Sequence, residues 1–116
     1  MKKLLFCLVC IALVACNAHQ VSSPNGVLTL EFQLCQGQPT YSLSCDGKDV
    51  LLPSPMGLVL TTGKDTLRNL CWSVESVVMA SADTTWETVW GEERFIRDNH
   101  NEMKVALVAQ EVRMNI

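Results

Sequence analysis

Residues 27–35 read V-L-T-L-E-F-Q-L-C, and within them Leu28, Leu30, Phe32 and Leu34 alternate with polar residues. Successive side chains of a β-strand point to opposite faces, so a period of two predicts a strand with one buried face. The stretch is too short and too rich in β-formers to suit a helix. It therefore predicts the first strand of an ordered domain.

The same period continues downstream between turn signals. Tyr41, Leu43 and Cys45 alternate with polar residues in a predicted second strand, which follows a turn at 36–39. Further turns are predicted at 46–47 and 62–65. A third strand over 50–52 is expected to stop at 53–55, because the prolines there have no amide hydrogen to give to a sheet.

The second half of the chain also favours strands. They are predicted at 58–61, 74–79, 94–98 and 103–110, the last with Met103, Val105, Leu107 and Ala109 on one face. Residues 81–85 are predicted to be a loop, and 67–72 remain unassigned. No helical period occurs after residue 16, so short strands with turns about every eight to twelve residues predict an all-β fold, an antiparallel β-sandwich or barrel.

The amino terminus has the features of an export signal. Lys2 and Lys3 precede the apolar stretch 4–14, which is shorter than the roughly 20 residues a spanning helix needs. Leu13-Val14-Ala15-Cys16 has the form of a bacterial lipobox, so we expect cleavage and acylation at Cys16. Simple secretion and an uncleaved anchor are the alternatives. The predicted organisation is a signal peptide at 1–16, a tether at 17–26 and a domain at 27–116, exported to the periplasm or outer membrane.

Charge and cysteine content narrow the class of protein. Without the two signal lysines, seven basic residues face twelve acidic ones, so a nucleic-acid partner is not expected. Of six cysteines, only Cys35, Cys45 and Cys71 lie beyond Cys16. Cys35 and Cys45 flank one predicted hairpin, whose register would keep them apart, so any single bridge is expected to involve Cys71.

The segment 83–102 concentrates the residues that could carry chemistry. On an extended strand, Trp86 and Trp90 would lie on one face, where indole rings could stack on a sugar. The alternative is a pair of buried sandwich tryptophans. Glu87, Glu92 and Glu93 are candidate acid/base groups, but sequence neighbours on a strand point to opposite faces, which favours solvated charge.

The same segment also contains residue types that bind metal ions. Asp98, His100 and Glu102 alternate and could offer an imidazole and two carboxylates to a divalent ion. Asn99 and Asn101 between them favour a turn, however, which would break the shared face. We therefore predict no metal site and no catalytic residue in this chain.

Several motifs, in this order, resemble the amino-terminal domain of glycoside hydrolase family 97. They are Ser23-Pro24-Asn25-Gly26, Tyr41-Ser42-Leu43, Asp46-Gly47-Lys48, Leu51-Leu52-Pro53-Ser54-Pro55-Met56-Gly57-Leu58, Thr85-Trp86-Glu87, Val89-Trp90-Gly91-Glu92, Ile96-Arg97, Asn99-His100-Asn101-Glu102 and Arg113-Met114-Asn115-Ile116. The likeness is poor over 66–72, and Cys35, Cys45 and Cys71 are unexpected in it.

The resemblance implies an antiparallel β-sandwich, part of a galactose-mutarotase-like supersandwich, from an exported α-glucosidase or α-galactosidase. In the complete enzyme a β/α barrel would supply the catalytic carboxylates and a calcium ion, so no cofactor is expected in this chain. Trp86, Trp90 and Glu92 are then expected in sugar binding or at a domain interface, with an α-linked oligosaccharide, the missing barrel and the membrane as partners.

The carboxy-terminal residues suggest a further expectation. Apolar and polar residues alternate over 112–116, and no turn or polar tail follows them, so we expect a truncated domain. Three functions are compatible with the sequence: a carbohydrate-binding or structural module that is inactive alone, a piece of an active enzyme whose barrel is encoded separately or was lost in gene prediction, and a small lipoprotein scaffold without a sugar role.

Overall fold

The computed structural model describes residues 17–116, in which every regular element is a β-strand. The strands are β1 (Asn17–Ser22), β2 (Leu28–Cys35), β3 (Gln38–Cys45), β4 (Lys48–Pro55), β5 (Leu60–Thr62), β6 (Asp65–Leu67), β7 (Ser73–Glu87), β8 (Phe95–Ala109) and β9 (Val112–Asn115). They form three antiparallel sheets with the orders β1-β2-β3-β4, β5-β6 and β7-β8-β9. The all-β prediction is confirmed.

The predicted signal peptide and its Cys16 lie outside the described residues. Within 17–116 the structure has no helix capable of crossing a bilayer.

The β2–β3 hairpin fixes the register of the first sheet. Leu30 lies opposite Leu43, and Phe32 lies opposite Tyr41, so the apolar sets of the two strands share one face. The hairpin turn consists of Gln36 (φ 52°) and Gly37 (φ 77°), both in the left-handed region that a two-residue turn between twisted strands requires. The turn is thus two residues long, and Gln38 and Pro39 of the predicted 36–39 turn belong to β3.

The core lies between the first and third sheets. Phe32 and Leu34 of β2 pack with the inner face of β8, where Leu107 is fully buried. Within residues 17–116, the buried core cluster comprises Phe32, Leu34, Leu70, Trp72, Val105, Leu107 and Ala109. Two sheets with interdigitating inner faces are a β-sandwich. The predicted apolar face of 103–110 is confirmed, while 67–72, left unassigned, contributes Leu70 and Trp72.

Two strand boundaries differ from the predictions because of edge positions. Residues 17–22, predicted within a tether, form β1 and pair with β2 along its length. The strand predicted to stop at residue 52 continues through Pro53 and Pro55 as β4. An edge strand tolerates proline where its nitrogen faces away from the neighbour, and β4 is the last strand of its sheet.

The third sheet is longer than expected. Residues 81–85, predicted to be a loop, lie inside β7, where Ser81 pairs with Asn101 and Thr85 with Arg97. The strands predicted at 94–98 and 103–110 are one strand, β8, with Asn99 within it. Regular cross-strand pairing satisfies the backbone of these polar residues, and it overrides their preference for turns.

The cysteines do not form the bridge considered above. Cys45 and Cys71 are free thiols, so a bridge that involves Cys71, which the sequence left open, does not form. The register does separate Cys35 from Cys45, since they pair with Gln38 and Leu28 respectively. Cys71 instead lies against the β2–β3 turn, with its sulfur 3.9 Å from the Gln36 carbonyl oxygen.

Half of the inner face of the first sheet is uncovered. Leu28 is 44% exposed, and Leu30 and Leu51 are each 37% exposed, although the pairing aligns Leu30 and Leu51 with Leu43 on one face. The predicted buried face of β2 is therefore buried only at Phe32 and Leu34. Leu28, Leu30 and Leu43 instead line an open cleft together with residues 99–101 of β8.

The contact between Cys71 and Gly37 gives a stability prediction. A Cβ added at Gly37 would overlap the Cys71 sulfur and come within 3.0 Å of the Cys71 Cα, whereas one added at Gly47 (φ 73°) would meet nothing within 4 Å. Gly47→Ala should cost about 1–2 kcal/mol, from its positive φ alone. Gly37→Ala should cost roughly 1–3 kcal/mol more, because of the overlap. Urea unfolding followed by circular dichroism measures both, and equal losses would contradict the packing.

Candidate functional site

The hairpin arm, residues 80–102, carries most of the residues singled out from the sequence. It comprises the second half of β7, a connecting turn and the first half of β8, paired continuously from Ala80 opposite Glu102 to Glu87 opposite Phe95. The turn is closed by Thr88, whose N–H donates to the Arg94 carbonyl at 2.9 Å and whose hydroxyl donates to the Glu93 carbonyl at 2.6 Å. The arm therefore ends in an ordered tip.

The two tryptophans of the arm do not share a strand face. Trp86 lies in β7 opposite Ile96, while Trp90 lies in the turn. Trp86 is 53% exposed and Trp90 is 91% exposed, so the alternative of two buried sandwich tryptophans is wrong. The buried indole of the sandwich is Trp72. The arm's indoles face solvent and are accessible to a ligand or another domain.

Other large apolar side chains are exposed with them. Val89, Phe95 and Ile96 also lie at the tip and face solvent. The Arg94 guanidinium lies 5.3 Å from the centre of the Phe95 ring, a cation–π distance, and its Nε donates to the Glu87 carboxylate at 2.7 Å. We define the apolar tip as Trp86, Val89, Trp90, Phe95 and Ile96. Val89 lies in the turn, where no periodicity marks an apolar residue, and Ile96 belongs to the tip because β8 pairs it with Trp86.

The carboxylates of the arm are not arranged as a catalytic pair. Glu87 is held by Arg94, and Glu92 and Glu93 are exposed in the turn. General acid catalysis at a glycosidic bond needs a carboxyl group in an environment that keeps it protonated, facing a second carboxyl across the bond. The solvent exposure of Glu92 and Glu93 and the ion pair of Glu87 with Arg94 do not supply such an environment.

Asp98, His100 and Glu102 lie on one continuous strand, so the expected turn at Asn99 and Asn101 is wrong. The side chains of Asp98 and His100 contact each other, with His100 Nδ1 2.6 Å from Asp98 Oδ1. Across residues 17–116 no three Asp, Glu, His or Cys side chains are grouped to hold a metal ion.

One cross-sheet hydrogen bond anchors the arm to the sandwich. Asn101 Nδ2 donates to the Ser22 carbonyl oxygen of β1 at 2.7 Å. Beside it, Val21, Leu28, Leu30 and Leu43 contribute to a cleft of about 330 Å³. The sequence favours a turn at Asn101. Its hydrogen bond to Ser22 depends instead on the position of β8 beside the end of β1.

A second cleft was not anticipated from the sequence. It has a volume of about 240 Å³ and includes Gln38, Arg68, Asn69 and Trp72 in its lining. Asn69 has a φ of 52° and turns the chain beside the cleft. The lining residues come from segments that are distant in sequence, near residue 38, at 56–59 and at 68–72. No periodicity in 66–72 could have indicated it.

Comparison with known proteins identifies relatives over most of the chain. The family model described as Glycosyl-hydrolase 97 N-terminal matches residues 21–116. Three solved structures of a glycoside hydrolase family 97 enzyme from Pseudoalteromonas sp. strain K8 are also similar: a complex with acarbose, a single-residue variant in complex with panose, and another single-residue variant. Each is 26% identical with a TM-score of 0.70, and each match covers 84% of this chain but only 14% of that one.

The ion pair across the arm gives a prediction about pH. Arg97 donates to both carboxylate oxygens of Asp83, at 2.9 and 2.8 Å, and this hydrogen bonding lowers the pKa of Asp83 from its ordinary value. Because the folded-state pKa is lowered, the pair stabilises the arm above the ordinary Asp range. That stabilisation is lost as the pH falls through the lowered pKa.

Removing the guanidinium tests this assignment. Arg97→Gln should raise the pKa of Asp83 toward its ordinary value in an NMR titration of the carboxyl carbon, because the charge-assisted hydrogen bonds are gone. Arg94→Gln is the control, since Arg94 pairs with Glu87. An unchanged Asp83 pKa in the Arg97 variant would show that the pair does not persist in solution.

Proposed function

The chain belongs to the glycosyl-hydrolase 97 N-terminal family, and we propose that it is the non-catalytic β-sandwich module of an exported α-glucosidase or α-galactosidase. In this role it supports a sugar site and packs against a catalytic β/α barrel supplied by the rest of an enzyme. By itself the chain is inactive. The observation that carries the proposal is the family match over 21–116 combined with an exposed aromatic tip.

The assignment of catalysis to the rest of the enzyme follows from the small share of the enzyme that the chain covers. It spans 14% of the solved Pseudoalteromonas enzyme, which leaves the bulk of such a protein to carry the chemistry. The exposed acidic residues of the arm, with Glu87 bound by Arg94, support a non-catalytic role for this part. Calcium and catalytic carboxylates belong, in this proposal, to the remaining polypeptide.

The apolar tip is the part that we assign to recognition. Trp90 and Trp86 present open indole faces, and Glu92 lies in the same turn as Trp90. Flat aromatic rings suit the apolar C–H faces of sugar rings, while a carboxylate accepts hydrogen bonds from sugar hydroxyls. An α-linked oligosaccharide is the class to test, because acarbose and panose are bound by the Pseudoalteromonas enzyme.

Sugar binding can be tested directly by calorimetry with maltose, melibiose and longer α-glucans. We expect heat from an α-linked sugar, and Trp90→Ala should weaken its binding roughly 2- to 10-fold, the loss of one aromatic contact. Val89→Ala is the matched control, because Val89 is the adjacent residue and is 89% exposed but offers no ring.

The two outcomes for the tip have different meanings. If a folded sample gives no heat with any of these sugars, the tip serves at a domain interface only. Equal weakening by Trp90→Ala and Val89→Ala would contradict ring stacking. Release of p-nitrophenol from p-nitrophenyl α-glucoside or α-galactoside by the chain alone would overturn the proposed lack of catalysis.

Membrane attachment is part of the same proposal and rests on the lipobox that ends at Cys16. Acylation of this thiol would anchor the exported module to a membrane, in the periplasm or at the outer membrane. Cys16→Ser should move the protein from the membrane fraction to the soluble periplasmic fraction of an expressing bacterium and abolish incorporation of labelled palmitate. Cys71→Ser is the control, because Cys71 lies within the folded domain. Palmitate incorporation that survives Cys16→Ser would exclude this anchor.

A further inference from the structure

Arg68 is the one arginine within residues 17–116 that has no carboxylate partner there. Arg94, Arg97 and Arg113 each form an ion pair with a carboxylate, at 2.7, 2.8 and 3.4 Å respectively. Arg68 instead lines the cleft of about 240 Å³ beside Trp72, which we call the Arg68 cleft. Among the described residues that line this cleft, Arg68 alone has an ionisable side chain. The cleft therefore carries a positive charge that no described residue pairs with.

A second unpaired donor of the Arg68 cleft belongs to Trp72. This residue is only 5% exposed, and it lines the cleft. Within residues 17–116 no group accepts a hydrogen bond from its indole N–H, and the nitrogen is not sealed from solvent. The N–H of a covered tryptophan normally has an acceptor. Because the cleft is the opening that Trp72 lines, an acceptor for this N–H would come from water or from a ligand.

The walls of the Arg68 cleft are held by hydrogen bonds that leave these two donors unused. Gln38 Nε2 donates to the Met56 carbonyl at 2.9 Å, and the backbone N–H of Trp72 donates to the Gly37 carbonyl at 2.9 Å. Asn69 has a φ of 52°, which interrupts the alternation of a strand, and it lines the cleft together with both of its neighbours. The donors are thus placed on fixed segments before a ligand arrives.

The size, charge and donors of the cleft fit one class of ligand. An apolar cavity of about 150 Å³ holds benzene, so about 240 Å³ accommodates a six-membered ring with substituents. A planar guanidinium pairs with both oxygens of a carboxylate. Leu58 and Val59, 37% and 56% exposed, offer an apolar wall to the C–H groups of a ring. The Asn69 amide and the Trp72 N–H can donate to hydroxyl oxygens. A sugar acid has all of these groups.

We propose that the Arg68 cleft binds a single hexuronate, a six-membered sugar ring that carries a carboxylate. Arg68 pairs with the carboxylate, while Trp72 Nε1 and the Asn69 amide donate to oxygens of the ring. The site goes beyond the proposed function, because it shares no residue with the apolar tip and takes an acidic sugar. Residues 66–72 carry none of the motifs by which the sequence resembles family 97, so the site is a feature of this chain.

The indole N–H signals in a two-dimensional proton–nitrogen NMR spectrum report on this site in the full chain. Trp86→Phe and Trp90→Phe identify the two signals of the arm, which leaves the signal of Trp72. Sodium glucuronate at tens of millimolar should shift the Trp72 signal until it saturates, because its N–H gains an acceptor. Glucose has a hydroxymethyl group in place of the carboxylate, and acetate has no ring. Each should bind at least about 10-fold more weakly than glucuronate.

Two matched substitutions test the role of the guanidinium. Arg68→Gln removes it from the cleft and should weaken glucuronate binding at least about 10-fold. Arg113→Gln removes the same charge from an exposed arginine that pairs with Glu75, and it should leave binding within about 2-fold. Circular dichroism confirms that each variant is folded before comparison.

The site is excluded if glucuronate leaves the Trp72 signal unmoved in a folded sample, or if Arg68→Gln and Arg113→Gln weaken binding alike. An equal response to glucose would remove the role of the carboxylate, and an equal response to acetate would remove that of the ring. Either result overturns the proposal. Shifts of the Trp86 and Trp90 signals with maltose report on the proposed function alone, so each proposal can fail without the other.

Discussion

The packing of β2 against β8 is the contact on which the rest of the structure depends. Phe32 and Leu34 meet Val105, Leu107 and Ala109, and this is where the first and third sheets join as a sandwich. Trp72 and Leu70 fill the side of that contact from an irregular segment. Apolar burial of this kind is non-directional, so it does not by itself select which residues meet. The hairpin registers must therefore bring the apolar residues of β2 and β8 opposite each other. The two-residue turn at Gln36 and Gly37 supplies that register.

The arm shows a different source of order. Its strands bury little, yet the long ladder between β7 and β8 satisfies the backbone, while cross-strand pairs such as Asp83 with Arg97 fix the side chains. Exposed ion pairs contribute little to stability. The arm is therefore held in direction mainly by its ladder and by Asn101 on β1. A surface of this kind is suited to presenting side chains to a partner.

Much of the fold could be predicted from local pattern, and the failures have physical causes. Alternation located β2, β3 and the inner face of β8 because each strand carries its apolar residues on one face, and Asp46-Gly47 marked a turn in which both residues have positive φ. Residues 81–85 and 99–101 were misassigned because cross-strand pairing overrode their turn preference. Trp72 was missed as core because its segment has no period. The site residues were located in sequence, but the exposure of Trp86 and Trp90 depends on where the third sheet leaves the sandwich.

The prolines of β4 remove hydrogen-bond donors from one edge of the first sheet. Met56 donates its N–H to Pro39 at 2.9 Å, so by alternation the nitrogens of Pro53 and Pro55 occupy the outward positions of the strand. An extended chain that arrives at this edge finds no hydrogen-bond donor at either position. Carbonyl groups of an incoming strand would stay without a partner at these two positions, which disfavours pairing of copies through this edge.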